Sequence, residues 1–297
     1  MHTTLENVAA LAVAQVTGAQ TDTAIAGLTI WFSAAPTAPM PAMFEPSIYL
    51  VLSGAKRMEI GGKSFECGPG SLSVSAVGLP FTGYVVKASA DAPYVAVRFS
   101  LNVGLVANLL LETPDASGPA VPAATVVEAS DAMIEVIYRY LRLLSTPADM
   151  RVIAPLIERE LYFRLLQSPF GHGLRETVQG HTRYAQIKRA VEWICSNATG
   201  AMSVQALAAI VDMSVTSFHR HFKAVTGLSP LAYQRHVRLL HAQRLLNVDM
   251  SSVTAVAFEV GYASSSQFSR EYARMFGCPP VRDTFRARQA AHDPSSG

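Results

Sequence analysis

Apolar positions divide the chain into two textures. From Leu28 they come in short runs broken by glycine and proline, and beyond Ser130 they recur at helical spacing. The runs Thr29–Ser33, Ser47–Ser53, Lys56–Ile60, Lys63–Cys67, Ser71–Ser75, Tyr84–Ala88 and Tyr94–Ser100 predict strands. Gly61-Gly62 between two of these runs is a hairpin signal, and Pro69-Gly70 marks another turn. Many short strands with regular turns fit a compact sandwich or a small barrel. The first 20 residues fit either a helix through Leu5, Val8, Leu11 and Val13 or a loose arm.

Leu101–Leu111 reads as a helix leading into Thr113–Ala124, a loop rich in proline and alanine. Ser130–Leu144 places Met133, Val136, Ile137, Tyr140 and Leu144 on one helical face. Ala148–Leu166 carries a mixed stripe of Val152, Leu156, Arg159, Glu160 and Phe163, with Leu161 and Leu165 on a second apolar side. This pair has apolar surface to spare, to be covered by its own β region or by a second subunit. Pro169, Gly171, Gly173 and Gly180 place an interdomain hinge over Ser168–Gly180. Tyr184–Asn197 is the next helix, with Ile187, Ala190, Val191 and Ile194 inward and Trp193 at a rim or interdomain contact.

The stretch Val204–Pro280 holds a duplication. Ser214, Phe218, Arg220, Phe222, Gly227 and Pro230 recur 50 residues later as Ser264, Phe268, Arg270, Tyr272, Gly277 and Pro280. Two copies make a duplicated unit and not a solenoid. In the first copy Ser203 opens a short helix with Val204, Leu207, Ala208 and Val211 on one face. Asp212-Met213 turns the chain, and Ser214 caps a helix from Val215 to Val225. Phe218, Phe222 and Val225 face the first helix, and Gly227 sits where a C-cap glycine belongs. In the second copy Val253, Val256, Ala257 and Val260 line the first helix, and Gly261 makes the turn. Ser264 or Ser265 then caps a helix that buries Phe268, Tyr272 and Met275.

Each copy is a helix-turn-helix, whose second helix can enter a major groove. The outward side offers Thr216, Ser217, His219, Arg220 and Lys223 in the first copy. In the second it offers Ser265, Ser266, Gln267, Ser269, Arg270 and Arg274. These side chains can bond base edges and phosphates. Pro230–Leu246, studded with Arg235, Arg238 and Arg244, predicts a rigid helix between the units. Reading helices about 34 Å apart would reach successive major grooves on one face of DNA.

Met213–Pro230 and Val260–Gly277 resemble the signature of the AraC/XylS family of bacterial transcription regulators. The resemblance implies an activator or repressor of promoter DNA whose base readers are Thr216, His219 and Arg220, and Ser266, Gln267 and Arg270. The N-terminal part is similar to one sensor subgroup at Glu45-Pro46, Gly54–Lys56, Gly61-Gly62, Pro69-Gly70, Leu79-Pro80 and Arg159–Leu166. That likeness makes the β region a cupin-like barrel that senses a small molecule. The implied fold is α+β in two domains: the barrel, a helical pair, and an all-α domain with two helix-turn-helix motifs. The expected boundaries are 1–125 for the sensor, 126–170 for dimerisation and linkage, and 181–290 for DNA binding. A homodimer through the helical pair and a contact with RNA polymerase are implied as well.

Composition supports this division. Residues 1–180 carry 11 Lys/Arg against 15 Asp/Glu, whereas residues 181–297 carry 13 against 7, so −4 and +6 sum to the net +2. An acidic front and a basic back fit a regulatory domain joined to a DNA-binding one. Cys67, Cys195 and Cys278 are too scattered for a disulfide framework or a zinc cluster. Neither a secretory leader nor a membrane span is expected, which points to the cytoplasm.

The only histidines before residue 181 are His2 and His172, outside the strand region, so no metal, cofactor or enzymatic activity is expected. Glu45, Glu59 and Glu66 read as solvated. Aromatic residues of the strand region serve as core or cavity wall, and Trp31, Tyr49, Phe65, Cys67, Tyr84 and Tyr94 are the candidate ligand contacts. Two other readings compete with a ligand-responsive transcription factor. One is a metal-dependent cupin enzyme with a helical accessory domain; the other is an assembly factor whose barrel mediates protein contacts.

Overall fold

The computed structural model describes residues 4–113, 125–178, 182–248 and 252–283. Alternation along the strands decides its layering. In β4 (Ser47–Ser53), Ile48, Leu50 and Leu52 join one hydrophobic core while Tyr49 and Val51 join another. A strand buried on both faces needs a layer on each side. Here one layer is helical and the other is a second sheet.

The larger sheet has six strands, all antiparallel. Its order is β1 (Gln20–Asp22), β2 (Leu28–Ser33), β9 (Tyr94–Ser100), β4, β7 (Ser71–Ser75) and β10 (Val126–Glu128). The smaller sheet runs β3 (Met40–Phe44), β8 (Leu79–Lys87), β5 (Ala55–Ile60) and β6 (Lys63–Cys67). The chain passes between sheets at Gly54, where φ is +69° and a Cβ would lie 2.5 Å from the Lys87 carbonyl oxygen. Only glycine fits so close an approach.

These sheets correct the expected cupin-like barrel, because both stay open. Among the described residues no ladder joins the edges of one sheet to those of the other. The edge strands show why. β1 and β10 are three residues long, Pro41 removes a donor from β3, and β6 carries Lys63 and Glu66. Short, proline-bearing or charged strands end a sheet and do not extend it.

The helical layer consists of α1 (Leu5–Val13), α2 (Val103–Glu112), α3 (Asp131–Arg142), α4 (Pro147–Leu166) and α5 (Gly171–Val178). Thr4 caps α1, so the N-terminal segment is a helix, with Val8 and Ala12 buried on the sheet. Tyr162 of α4 donates to the Ser100 carbonyl at 2.9 Å and accepts from Asn102 N–H at 2.6 Å, pinning α4 to the end of β9. The expected hinge is corrected too. Most of 168–178 is α5, since Phe170 and Leu174 bury themselves in the helical core and overrule the two glycines. The loop 114–124 and everything after Asp283 lie outside the described residues.

The C-terminal part contains α6 (Arg183–Ser196), α7 (Val204–Ile210), α8 (Val215–Thr226), α9 (Pro230–Val248), α10 (Val253–Glu259) and α11 (Ser265–Phe276). Its first unit docks on the smaller sheet. Tyr233 of α9 is fully buried and donates to the Gly78 carbonyl at 2.9 Å. Gly61, in the β5–β6 turn, meets Gly227 at the end of α8 so closely that a Cβ on Gly227 would lie 2.2 Å from the Gly61 Cα. No helix among the described residues is long and apolar enough to cross a membrane.

Candidate functional site

Each C-terminal unit is built by the same local chemistry. Ser203 and Ser252 cap α7 and α10, and Ser214 and Ser264 cap α8 and α11, each hydroxyl accepting a backbone N–H two or three residues into its helix. Ser264, not Ser265, is therefore the cap of α11. Gly227 and Gly277 end α8 and α11 in the left-handed region, both at φ +76°. The turns also match: Asp212 at φ +54° and Gly261 at φ +87° reverse the chain after α7 and α10.

Phe218 and Phe222 are fully buried with Tyr233 in the first core, and Phe268 and Tyr272 are fully buried in the second. Helical periodicity then turns the remaining positions outward. Thr216, His219, Arg220 and Lys223 are exposed on α8, with Ser217 half-buried at its capped end. Ser266, Gln267, Arg270 and Arg274 are exposed on α11, with Ser265 and Ser269 half-buried. Gln267 Nε2 donates to Glu271 Oε1 at 3.2 Å, and Glu271 also accepts from Tyr262 at 2.8 Å. The two outward faces thus differ in charge and hydrogen-bonding pattern.

A second feature lies where the sheets meet α9. A cleft of about 400 Å³ is lined by Trp31, Tyr49, Lys56, Phe81, Arg98 and the stretch 40–45, together with Leu240, Gln243 and Arg244 of α9. Strand alternation delivers these side chains. Trp31, Tyr49 and Arg98 point from adjacent strands β2, β4 and β9 toward the small sheet, and Lys56 shares the inward face of β5 with Met58 and Ile60. Lys56 Nζ sits 5.7, 5.4 and 5.3 Å from the ring centroids of Trp31, Tyr49 and Phe81. It has no carboxylate partner among the described residues, and burial pushes its ammonium down to about 8.

Two further donors are unsatisfied. Trp31 Nε1 and Arg98 Nε are buried without a hydrogen bond among the described residues, although Arg98 Nη1 reaches Glu45 Oε2 at 2.7 Å. Buried polar groups are normally paired, so Trp31 Nε1 and Arg98 Nε are donors left open beside the Arg98–Glu45 pair.

The six candidate ligand residues part company here. Trp31 and Tyr49 line the cleft. Tyr94 stands behind Tyr49, their hydroxyls 2.8 Å apart. Cys67 is buried in the intersheet core, where burial pushes its thiol up to about 11, and Phe65 packs against the same core. Tyr84 is not among the cleft's lining residues and lies opposite Arg57 on β5. Sequence reasoning missed Lys56, Arg98, Gln243 and Arg244. The signal for Lys56 was present, since period two places it in line with Met58 and Ile60. Of the three glutamates read as solvated, Glu45 pairs with Arg98, and Glu66 pairs with Arg57 and Lys87 at 2.9 and 3.1 Å.

Residues 24–173 match the family described as AraC-type transcriptional regulator N-terminus, and residues 207–286 match a helix-turn-helix domain. The transcriptional activator RhaS of Escherichia fergusonii is 35% identical over 107 residues, covering 36% of this chain and 38% of that protein. The RCS-specific activator RclR of Escherichia coli is 40% identical over 91 residues, 31% of this chain and 32% of that protein. The match therefore spans about a third of the length of these relatives. A crystal structure of apo ToxT from Vibrio cholerae superposes with a TM-score of 0.53 at 12% identity, over 89% of this chain and 99% of that one. ToxT with an unsaturated fatty acid bound gives 0.51 at 11% identity, over 87% and 94%. At these identities the likeness is one of fold.

Proposed function

The chain belongs to the AraC-type transcriptional regulators, sequence-specific DNA-binding proteins and not enzymes, and on that premise we propose how it reads DNA and what it senses. The reading surface is the pair α8 and α11. Thr216, His219 and Arg220 face bases in one major-groove segment, and Ser266, Gln267 and Arg270 face those in the next. Ser217, Lys223, Ser265 and Ser269 hold the flanking phosphates. The two faces differ, so one chain recognises an asymmetric site. Two chains meet through the α3–α4 surface, where Val152 and Leu156 are 66% and 60% exposed.

The signal is a small molecule with an anionic head and an apolar body, bound in the cleft between the sheets and α9. The observation that supports this reading is the convergence of the Lys56 ammonium, which has no carboxylate partner among the described residues, with the buried and unbonded Trp31 Nε1 and Arg98 Nε on a space large enough for a ligand. Arg244 adds a third cation from α9, the helix that joins both DNA-reading units. A ligand there touches sensor and reader at once, so differential affinity for two placements of α9 becomes a change in DNA affinity.

The test is binding to an operator obtained by selection from random DNA, measured by fluorescence anisotropy with and without benzoate, decanoate and the corresponding uncharged amides. Carboxylates are expected to change DNA affinity and to quench Trp31 fluorescence, and the amides to do neither. Equal effects of acid and amide, or no effect of either on Trp31, would rule out the anion site and leave the DNA-reading assignment standing.

A further inference from the structure

The two DNA-reading units have separate hydrophobic cores. Ile187, Leu207, Phe218 and Tyr233 belong to the first, and Leu239, Val256, Phe268 and Tyr272 to the second. Apolar packing therefore holds each unit together without fixing one against the other, apart from the shared helix α9. What joins them directly is polar and centres on Arg238. Its Nε donates to the Ala198 carbonyl at 2.6 Å, and its Nη2 donates to Gly200 at 2.7 Å and Thr199 at 3.3 Å. These three carbonyls follow α6 in the first unit. The remaining arm, Nη1, donates at 3.0 Å to the carbonyl of Gly261, the turn residue of the second unit.

Two neighbours tighten the joint. One helical turn earlier, Gln234 Nε2 donates to Ala198 and Gly200 at 2.9 and 3.0 Å. Gly261 presses so close that a Cβ would lie 2.1 Å from the Thr199 carbonyl oxygen. A planar guanidinium with five fixed donors can hold four carbonyls on two loops; an ammonium cannot reproduce that fork.

We propose that Arg238 is the positioning residue that sets the separation and phase of α8 and α11, so that the protein accepts its two major-groove segments at a single spacing. By sequence Arg238 is one more cation on a basic helix, and in the fold its charge is spent on backbone carbonyls. Each added base pair moves one segment by about 3.4 Å and turns it by about 35° relative to the other. A rigid joint penalises that displacement, and a loose one follows it.

Two measurements on the full chain test the assignment. Nitroxides on Lys223→Cys and Arg274→Cys, in a Cys195→Ser background, report the distance distribution between α8 and α11 without DNA. One narrow distribution is expected, broadening in Arg238→Met and in Arg238→Lys. In DNA binding, one inserted base pair between the segments should lower wild-type affinity by about tenfold or more. Both variants should bind the uninterrupted site about 10- to 100-fold more weakly yet lose less than about threefold on insertion. An unchanged distance distribution or wild-type spacing discrimination in the Lys variant overturns the proposal. If Arg238→Met lacks a cooperative thermal transition, the Lys variant decides. If that also fails to fold, Arg238 is a folding residue and the positioning role is rejected.

Discussion

Lys56 occupies an inward position on β5 that would ordinarily hold an aliphatic side chain. Three aromatic faces surround its ammonium, and burial holds it near 8 against its ordinary 10.5. Because the folded state disfavours the charged form, stability rises as pH climbs from 8 to 10.5 and is lower below that window. Lys56→Met should accordingly melt higher at pH 7, by on the order of 2 kcal/mol in chemical denaturation, while losing any response to carboxylates. A variant that is both less stable and still responsive would show that the site is misread. His236 on α9 gives a dependence of the same sign over a lower range. Its Nε2 is buried without a hydrogen bond among the described residues, and burial lowers the imidazole to about 4 from 6.5. Stability is therefore complete above pH 6.5 and is lost as pH falls toward 4, by up to about 3 kcal/mol from this group. Urea titrations at pH 7 and pH 5 should show the loss in wild type and a flatter response in His236→Phe.

At the scale of elements, α8 and α11 follow almost directly from spacing. A serine cap, aromatics four residues apart and a glycine at the C-cap recur in each, and the helices occupy Val215–Thr226 and Ser265–Phe276 as those signals predict. Arg220→Ala and Arg270→Ala should each lower operator affinity by about 10- to 100-fold. Each should also relax sequence preference in one segment only, the two segments being different. Selection from random DNA with each variant checks this; loss of preference in both segments from a single substitution would contradict a two-helix reader. The strands were legible for a related reason, and Lys63–Cys67, Ser71–Ser75 and Tyr94–Ser100 fall where alternation puts them. β1, β3 and β10 were not, because short or proline-bearing edge strands draw their pairing from a neighbour and carry little pattern of their own. α5 was missed for the same kind of reason, its glycines being outweighed by Phe170 and Leu174 in a core assembled from distant segments.

For the whole molecule, the position of the β-rich N-terminal part on the DNA-binding units is the decisive feature. The first unit is held by Tyr233 on Gly78 and by the Gly61–Gly227 approach, while the second is reached through α9 and Arg238 and also lays α11 against β3. Gly61 has φ +57°, which asparagine tolerates, so Gly61→Asn adds bulk at the contact without breaking the turn. This variant should keep its DNA affinity within about threefold, lose the coupling of carboxylates to DNA binding, and show a larger radius of gyration in small-angle scattering. Coupling that survives domain separation would place the route of the signal elsewhere.

By itself, the sequence determined the two DNA-reading units and their exposed faces, the helix between them, the strand content of the front half, and the family to which the whole belongs. All of these rest on local periodicity, on caps, and on glycines that act within a few residues of themselves. Tertiary structure alone decided that the sheets stay open, since closure depends on whether distant edges pair. It also decided that Lys56, Trp31 and Arg98 converge beneath α9, and that Arg238 turns inward to bind the carbonyls of both units. Each of these joins residues far apart in the chain, where spacing says which face a side chain occupies but not what it will meet there.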